Sequence, residues 1–320
     1  MLDYAGILLI AFILALALGL LLIPLLRRLK IGQSIRAAGP KSHLKKAGVP
    51  TMGGVIFLLA AVAALALFVP ARNPQGYLAL GTALAFGAIG FADDYLKVVL
   101  KRPLGLKARY KLAGQIAISV VFYLVLRALG LGGSLALPGL GFIELGWAYP
   151  IFATIVLVGT ANAVNLADGL DGLAGGLSAI TLLGAWAICW LSGRSGLAYI
   201  PAALAGGVLG YLVFNLHPAK VIMGDTGSLA LGGAIGALAL LTGTELLLLL
   251  GLGIIFVLET ISVIIQVSYF KMTGRRVFLM APIHHHFELK GWSEWKVCSV
   301  FWLVQLIGTL AALTVWRGTH

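Results

Sequence analysis

Ten apolar runs divide the chain, at about 5–26, 53–69, 77–92, 112–129, 148–166, 173–192, 197–214, 229–243, 246–268 and 297–316. They are too long and too apolar for strands, so each predicts a helix. Most approach the roughly 20 residues that cross the hydrocarbon core of a bilayer. Only a helix satisfies its own backbone in lipid without closing a barrel. The run at 229–243 is short for a span. The run at 246–268 is long and carries Glu259. The longest connection on the sparsely charged side, 130–147, is Gly-rich around Pro138 and predicts a small hairpin.

Composition agrees with this pattern. Hydrophobic residues make up 60% of the chain and charged residues 11%, with mean hydropathy +1.03. Soluble domains carry about 25% charged residues, so the solvent of this chain is lipid. The expectation is an all-α, polytopic membrane protein with about ten transmembrane helices, forming one transmembrane catalytic domain over 1–320. The N-terminus has no basic stretch before its apolar run, and reads as a first span that stays in place. The 42 glycines suit close helix approach in lipid. Cys189 and Cys298 are expected near opposite membrane faces, too far apart to bridge.

Charge sets the orientation. Alternate loops (27–51, 93–111, 167–172, 215–228 and 269–296) hold 19 of the 23 Lys and Arg, leaving Arg72, Arg127, Arg194 and Arg317 to the other side. The positive-inside rule makes the first set cytoplasmic and both termini external. The formal net charge of +12 is thus a topology signal, and nucleic acid is not an expected partner.

Of the six Asp residues, only Asp3 falls on the outer side. Asp93, Asp94, Asp168, Asp171 and Asp225 all lie at cytoplasmic edges of apolar runs. A carboxylate stranded in lipid costs roughly 2.5–3.5 kcal/mol even on mild insertion scales. These five are therefore expected to line one wet, cation-bearing cavity or to sit in solvated loops. In Asp93-Asp94-Tyr95-Leu96-Lys97, adjacent carboxylates call for a divalent cation, and oxygen-only ligands favour Mg²⁺. Lys97, Lys101 and Lys111 add charge suited to phosphates. The stretch from Asn162 to Gly176 carries Asn162, Asn165, Asp168 and Asp171 at three-residue intervals, with Gly169 and Gly172 breaking the helix where backbone can face a ligand. Gly224-Asp225-Thr226-Gly227-Ser228 predicts a tight turn into a helix start, whose free N–H groups suit phosphate. No Gly-Lys-Ser/Thr is present, so ATP hydrolysis is not indicated. His284, His285 and His286 are consecutive and point different ways, which excludes a helical zinc motif but suits phosphate contact or proton transfer. Lys41, Lys45 and Lys46 precede Pro50-Thr51-Met52-Gly53-Gly54, a stretch that reads as shaped backbone.

Together these motifs resemble the polyprenyl-phosphate N-acetylhexosamine-1-phosphate transferases. The stretch Pro282-Ile283-His284-His285-His286-Phe287-Glu288 is similar to their phospho-N-acetylmuramoyl-pentapeptide-transferase branch. The resemblance implies Mg²⁺-dependent transfer from UDP-N-acetylmuramoyl-pentapeptide to undecaprenyl phosphate at the cytoplasmic face of a bacterial cell membrane, by a homodimer. Carried over by position, it makes Asp93, Asp94, Asp225 and His284 the candidate catalytic residues, Asp93 as base. Asp225 would ligate Mg²⁺, supported by Asn165 and Asp168. Lys46, Thr51, Gly169, Leu170, Asp171 and Asn215 would surround uridine and sugar. Lys97, Asn162, His285 and His286 would complete the substrate site. Ile222 stands where some relatives place an aromatic residue.

Three rivals make different demands. A sibling enzyme using UDP-N-acetylglucosamine shares the metal motifs and should differ around 282–288. An ion-coupled transporter requires carboxylates near the bilayer midplane and inverted repeats; neither is visible. A non-catalytic lipid-binding scaffold does not need so many metal-competent residues.

Overall fold

The computed structural model describes residues 4–29, 48–68, 73–102 and 104–319. The expected Lys46 site lies outside the described residues. Ten long helices match the ten apolar runs: α1 (Tyr4–Arg28), α2 (Gly54–Phe68), α3 (Pro74–Val98), α4 (Ala108–Ala128), α5 (Tyr149–Ala167), α6 (Leu173–Leu191), α7 (Ser195–Asn215), α8 (Gly224–Thr242), α10 (Ile254–Thr273) and α12 (Glu294–Thr319). Among the described residues, nine are long and apolar enough to cross a membrane, and α2 is a shorter apolar helix. The short helices α9 (Glu245–Leu247) and α11 (Ile283–Leu289) complete the set. The 130–147 connection forms the hairpin β1 (Ser134–Leu137) and β2 (Gly141–Glu144), antiparallel with Ser134 opposite Glu144. Cys189 and Cys298 are both free and buried.

The fold is layered by burial. Helices α6, α7 and α8 form the interior, while α1, α4, α10 and α12 present wide apolar faces outward. A helix apolar on every side belongs inside, and α7 is one. Small residues permit the contacts. Gly206 and Gly210 press on the backbone of α1 at Leu8 and Phe12, and Gly207 on Phe57 of α2. On α8, Gly232 meets the α5 backbone at Ala161, and Gly233 meets Phe86 of α3. Gly90 of α3 lies against the Asp225 carbonyl, leaving no room for a β-carbon. That approach joins the Asp93-Asp94 end of α3 to the start of α8.

Two departures from the apolar pattern bear on the site and the core. The third helix runs six residues past its apolar run to Val98, because its last polar turn is paired inside the protein. The 246–268 run is not one helix. It breaks into α9, a π-helical turn at Leu248–Leu252, and α10. Gln305 of α12 repairs the break. Its Nε2 donates to Leu252 O at 2.6 Å and Gly251 O at 3.3 Å, and its Oε1 accepts from Ile255 N at 3.2 Å. Thr181 Oγ1 donates to Leu252 O at 2.6 Å. Freed backbone groups at membrane depth survive where protein re-satisfies them.

Candidate active site

The site begins where α3 and α8 touch. Asp93 and Asp94 are 3% and 4% exposed, so each needs partners, and both have them. Asp94 caps α8. Its Oδ1 accepts from Asp225 N at 3.2 Å, and its Oδ2 from Thr226 N at 2.9 Å and Thr226 Oγ1 at 2.7 Å. A carboxylate there also complements the helix dipole. The expectation that these N–H groups await a phosphate is thereby corrected: Asp94 already occupies them. Gly224, at φ +74°, makes the turn with Thr51 Oγ1 and Asp94 beside it. The Pro50–Gly54 stretch pairs with this turn: Ile222 N donates to Pro50 O at 2.8 Å, Gly53 N to Ile222 O at 2.9 Å and Gly54 N to Met223 O at 2.9 Å.

Asp93 and Asp225 share two ammonium groups. Lys97 Nζ lies 2.7 Å from Asp93 Oδ2 and 3.0 Å from Asp225 Oδ2. Lys111 Nζ, from α4, lies 3.6 Å and 2.8 Å from the same two oxygens. Asp93 Oδ1 accepts from Leu106 N at 2.6 Å. Asn165 of α5 closes the ring, its Nδ2 donating to Asp225 Oδ1 at 2.9 Å and Ser228 Oγ at 2.8 Å. Four helices thus converge on three carboxylates and two ammoniums. Such a cluster offers hard oxygen ligands and mobile positive charge, a combination suited to a divalent cation and a diphosphate.

The rest of the candidate set divides. Asp168 stands at the end of α5, partly buried, three residues past Asn165. Asn162 turns away from the cluster: its Nδ2 donates to Gln115 Oε1 of α4 at 2.8 Å and to Val158 O at 2.7 Å. Leu170 is buried. Asp171 belongs to a second polar group. Its Oδ2 lies 2.9 Å from His217 Nδ1 and accepts from Ala219 N at 3.1 Å, while Glu294 Oε2 lies 3.6 Å from His217 Nδ1. Asp171, His217 and Glu294 have ligand atoms close enough to hold a metal ion. Asn215 Oδ1 accepts from Gly172 N at 3.1 Å, and its Nδ2 donates to Val221 O at 2.9 Å, pinning the loop after Asp171.

The three histidines sit on α11 with three different partners. His284, fully buried, places Nδ1 3.0 Å from Glu259 Oε1 of α10. His285 Nδ1 lies 2.7 Å from Glu288 Oε2. His286 Nδ1 accepts from Leu279 N at 3.1 Å. Partial burial, with the Lys290 charge behind it, holds the His286 imidazole below the usual histidine range, consistent with an accepting ring.

Sequence reasoning gave no site role to Gln115, Ser228, Glu259 or Glu294, although Ser228 and Glu259 were noted in their runs. Glu259 alone had a signal, being an acid inside an apolar run that must find a partner. Glu294 lies at a helix start and reads as an ordinary end residue.

Known proteins resemble this chain over nearly its whole length. Residues 77–243, which hold Asp93, Asp94, Lys97, Lys111, Asn165 and Asp225, match the model of glycosyl transferase family 4. The chain is 52% identical to the phospho-N-acetylmuramoyl-pentapeptide-transferase of Shouchella clausii (strain KSM-K16), over 98% of this chain and 96% of that protein. It is 51% identical to the proteins of the same name from Geobacillus kaustophilus (strain HTA426) and Bacillus subtilis (strain 168), each over 96% of this chain and 95% of the relative. Similarity of this size over nearly the full length, with the acidic cluster inside the matched segment, places the chain in glycosyl transferase family 4, among the phospho-N-acetylmuramoyl-pentapeptide-transferases.

Proposed function

We propose that this protein transfers phospho-N-acetylmuramoyl-pentapeptide from UDP-N-acetylmuramoyl-pentapeptide to undecaprenyl phosphate, forming lipid I and releasing UMP. The observation that carries the reading is the shared pair of ammoniums, Lys97 and Lys111, between Asp93 and Asp225. The names of the full-length relatives support the substrate assignment.

In this reaction an oxygen of the acceptor phosphate attacks the phosphorus joined to the sugar. The bond from that phosphorus to the bridging oxygen breaks, and UMP leaves with the bridging oxygen. Positioning and charge neutralisation supply most of such catalysis. Lys97 and Lys111 would pair with the diphosphate. Asp93 would orient the acceptor or take a proton from it. Asp94 would hold Asp225 in register through the α8 N-terminus. The donor set fits Mg²⁺, since Asp225, Asp93, Asn165 and Asp168 offer only oxygen ligands. Bound by Asp225 with Asn165 and Asp168 in support, Mg²⁺ would neutralise charge on the diphosphate. The loop through Gly169, Leu170 and Asp171, with Thr51, Asn215 and Lys46, would hold uridine and sugar. The reading takes the protein as a homodimeric, multi-pass enzyme of the bacterial cell membrane, a single catalytic domain with its site on the cytoplasmic face.

The test is UMP release by purified protein given Mg²⁺, undecaprenyl phosphate and one UDP-sugar at a time. Release with UDP-N-acetylmuramoyl-pentapeptide, and not with UDP-N-acetylglucosamine, is expected. The reverse preference would replace this reading with the sibling one.

A further inference from the structure

His284 and Glu259 form a dyad inside the protein. Both side chains are fully buried, and His284 Nδ1 lies 3.0 Å from Glu259 Oε1. The other end of the imidazole, Nε2, meets the α-carbon side of Gly169, where a β-carbon would overlap it. Neither His284 Nε2 nor Glu259 Oε2 has a hydrogen-bond partner among the described residues. The ring is therefore wedged between an acid on α10 and the loop that joins α5 to α6.

That loop is held from two sides. On its far side, Asp171 and Gly172 are tied by hydrogen bonds to His217, Ala219, Asn215 and Glu294. On its near side the contact at Gly169 is the His284 ring edge. Rotation of the ring would remove this contact from Gly169, next to Asp168 and four residues beyond Asn165.

We propose that Glu259 is a positioning residue: it accepts the Nδ1–H of His284 and thereby seats the ring edge against Gly169, fixing the loop that receives the nucleotide. The nucleotide role of the loop rests on the function proposed above; the dyad itself does not. With Glu259 as acceptor, Nδ1 carries the proton and the Nε2 edge faces the glycine. A buried group that orients a histidine through one ring nitrogen acts on what the other nitrogen touches. Gly169 is glycine because the ring occupies the space of its side chain.

The test has two arms. In detergent-purified enzyme labelled with ¹⁵N-histidine, the His284 signals are assigned by difference from His284→Asn. A protonated Nδ1 is expected in the parent and in Glu259→Gln, whose amide oxygen still accepts, and its loss is expected in Glu259→Leu. An unprotonated Nδ1 in the parent overturns the proposal. In steady-state kinetics, loss of a hydrogen bond to a charged group predicts about a tenfold rise in KM for the UDP-sugar in Glu259→Leu. The kcat should stay within about threefold, the signature of lost uniform binding. Glu259→Gln should stay within about threefold of the parent in both constants. In a His284→Ala background Glu259→Leu should add nothing, because Glu259 acts through His284. A fall in kcat at unchanged KM, or full additivity with His284→Ala, refutes the proposal. Gly169→Ala leaves both dyad residues in place, pushes the ring edge off the loop, and remains informative if Glu259→Leu does not fold. It should raise KM similarly, and an unchanged KM there also refutes the proposal. A parent enzyme inactive with every UDP-sugar would sink the proposed function, while the nitrogen signals would still decide the dyad.

Discussion

Replacing Asp225 by Asn changes one atom and one charge, and the structure separates its effect on turnover from its effect on folding. Asp225 accepts from Lys97 at 3.0 Å, Lys111 at 2.8 Å and Asn165 at 2.9 Å. An Asn has a single acceptor oxygen, so its amide group must face either an ammonium or the Asn165 amide, donor against donor. The lysines are not stranded, because Asp93 remains 2.7 Å from Lys97 and 3.6 Å from Lys111. Each charge-assisted bond is worth about 1.5–3 kcal/mol. With Lys97 31% and Lys111 17% exposed, solvent screening reduces that figure. The net loss of stability should be about 1–3 kcal/mol, and the protein should stay folded. Turnover should suffer more. Charge neutralisation at a metal-supported phosphoryl transfer is worth several kcal/mol, and about 4 kcal/mol corresponds to about a thousandfold in rate. UMP release in the presence of Mg²⁺ should fall by at least that factor, while the melting temperature in detergent drops by only a few degrees. Turnover within about tenfold of the parent would remove Asp225 from the centre of the site.

Cysteines introduced at Ser195 and Thr319 should label with an impermeant reagent from outside the cell, and one at Ser42 should not, as the distribution of 19 of 23 Lys and Arg requires; labelling of Ser42 from outside would invert the orientation. Gln305→Leu should destabilise the protein by about 1–3 kcal/mol, because Ile255 N loses its acceptor and the Gly251 and Leu252 carbonyls each lose one donor at the helix break, Leu252 O keeping Thr181; an unchanged denaturation midpoint would show the break satisfied otherwise. Burial pushes the Glu245 carboxyl up to about 7 from an ordinary 4.5, so the folded state holds a proton that the unfolded state releases, and stability should fall as pH rises from about 4.5 through about 7. Glu245→Gln should then be more stable than the parent by about 3 kcal/mol at pH 8 and equal to it at pH 4; a gain that persists at pH 4 would exclude this cause.

The spans were legible because lipid demands long apolar runs and tolerates little else. The Asp93–Lys97 pairing was legible too, since four residues make one helical turn. What joins these pieces was not. Asp94 meets Thr226 across 132 residues, and nothing in either local pattern assigns that carboxylate to capping rather than to catalysis. Lys111 belonged to a visible lysine series, yet only the packing of α4 against α3 and α5 brings it to Asp225. The helix break at 248–253 lies in a leucine-rich run that looks continuous, and the residue that permits it, Gln305, is 53 positions from Leu252. The glycines of α3 and α8 read as generic packing residues; the structure shows that Gly90 in particular lets two acidic motifs meet.

The same geometry bears on the chemical path. A covalent route would need one of these carboxylates to attack an anionic diphosphate. Asp94 has both oxygens committed to the start of α8. Asp93 accepts Leu106 N through one oxygen and faces two ammoniums through the other. Asp225 accepts from Asn165 and both lysines. Lone pairs held by cations and N–H donors are weak nucleophiles, and their neighbours add repulsion. The acceptor phosphate has neither handicap. With a second pKa of about 6, by analogy with phosphorylated side chains, it is mostly a dianion at pH 7. Confinement to one membrane face makes its encounter with the donor nearly intramolecular. Direct attack should therefore carry the reaction, with Asp93 orienting the acceptor or removing its last proton, and Asp93→Asn should lose least at high pH, where the acceptor ionises unaided. The decisive measurement is exchange of labelled UMP into the UDP-sugar by rigorously delipidated enzyme with no acceptor present. No exchange is expected; sustained exchange would mean a phosphosugar held on the protein and would refute direct attack.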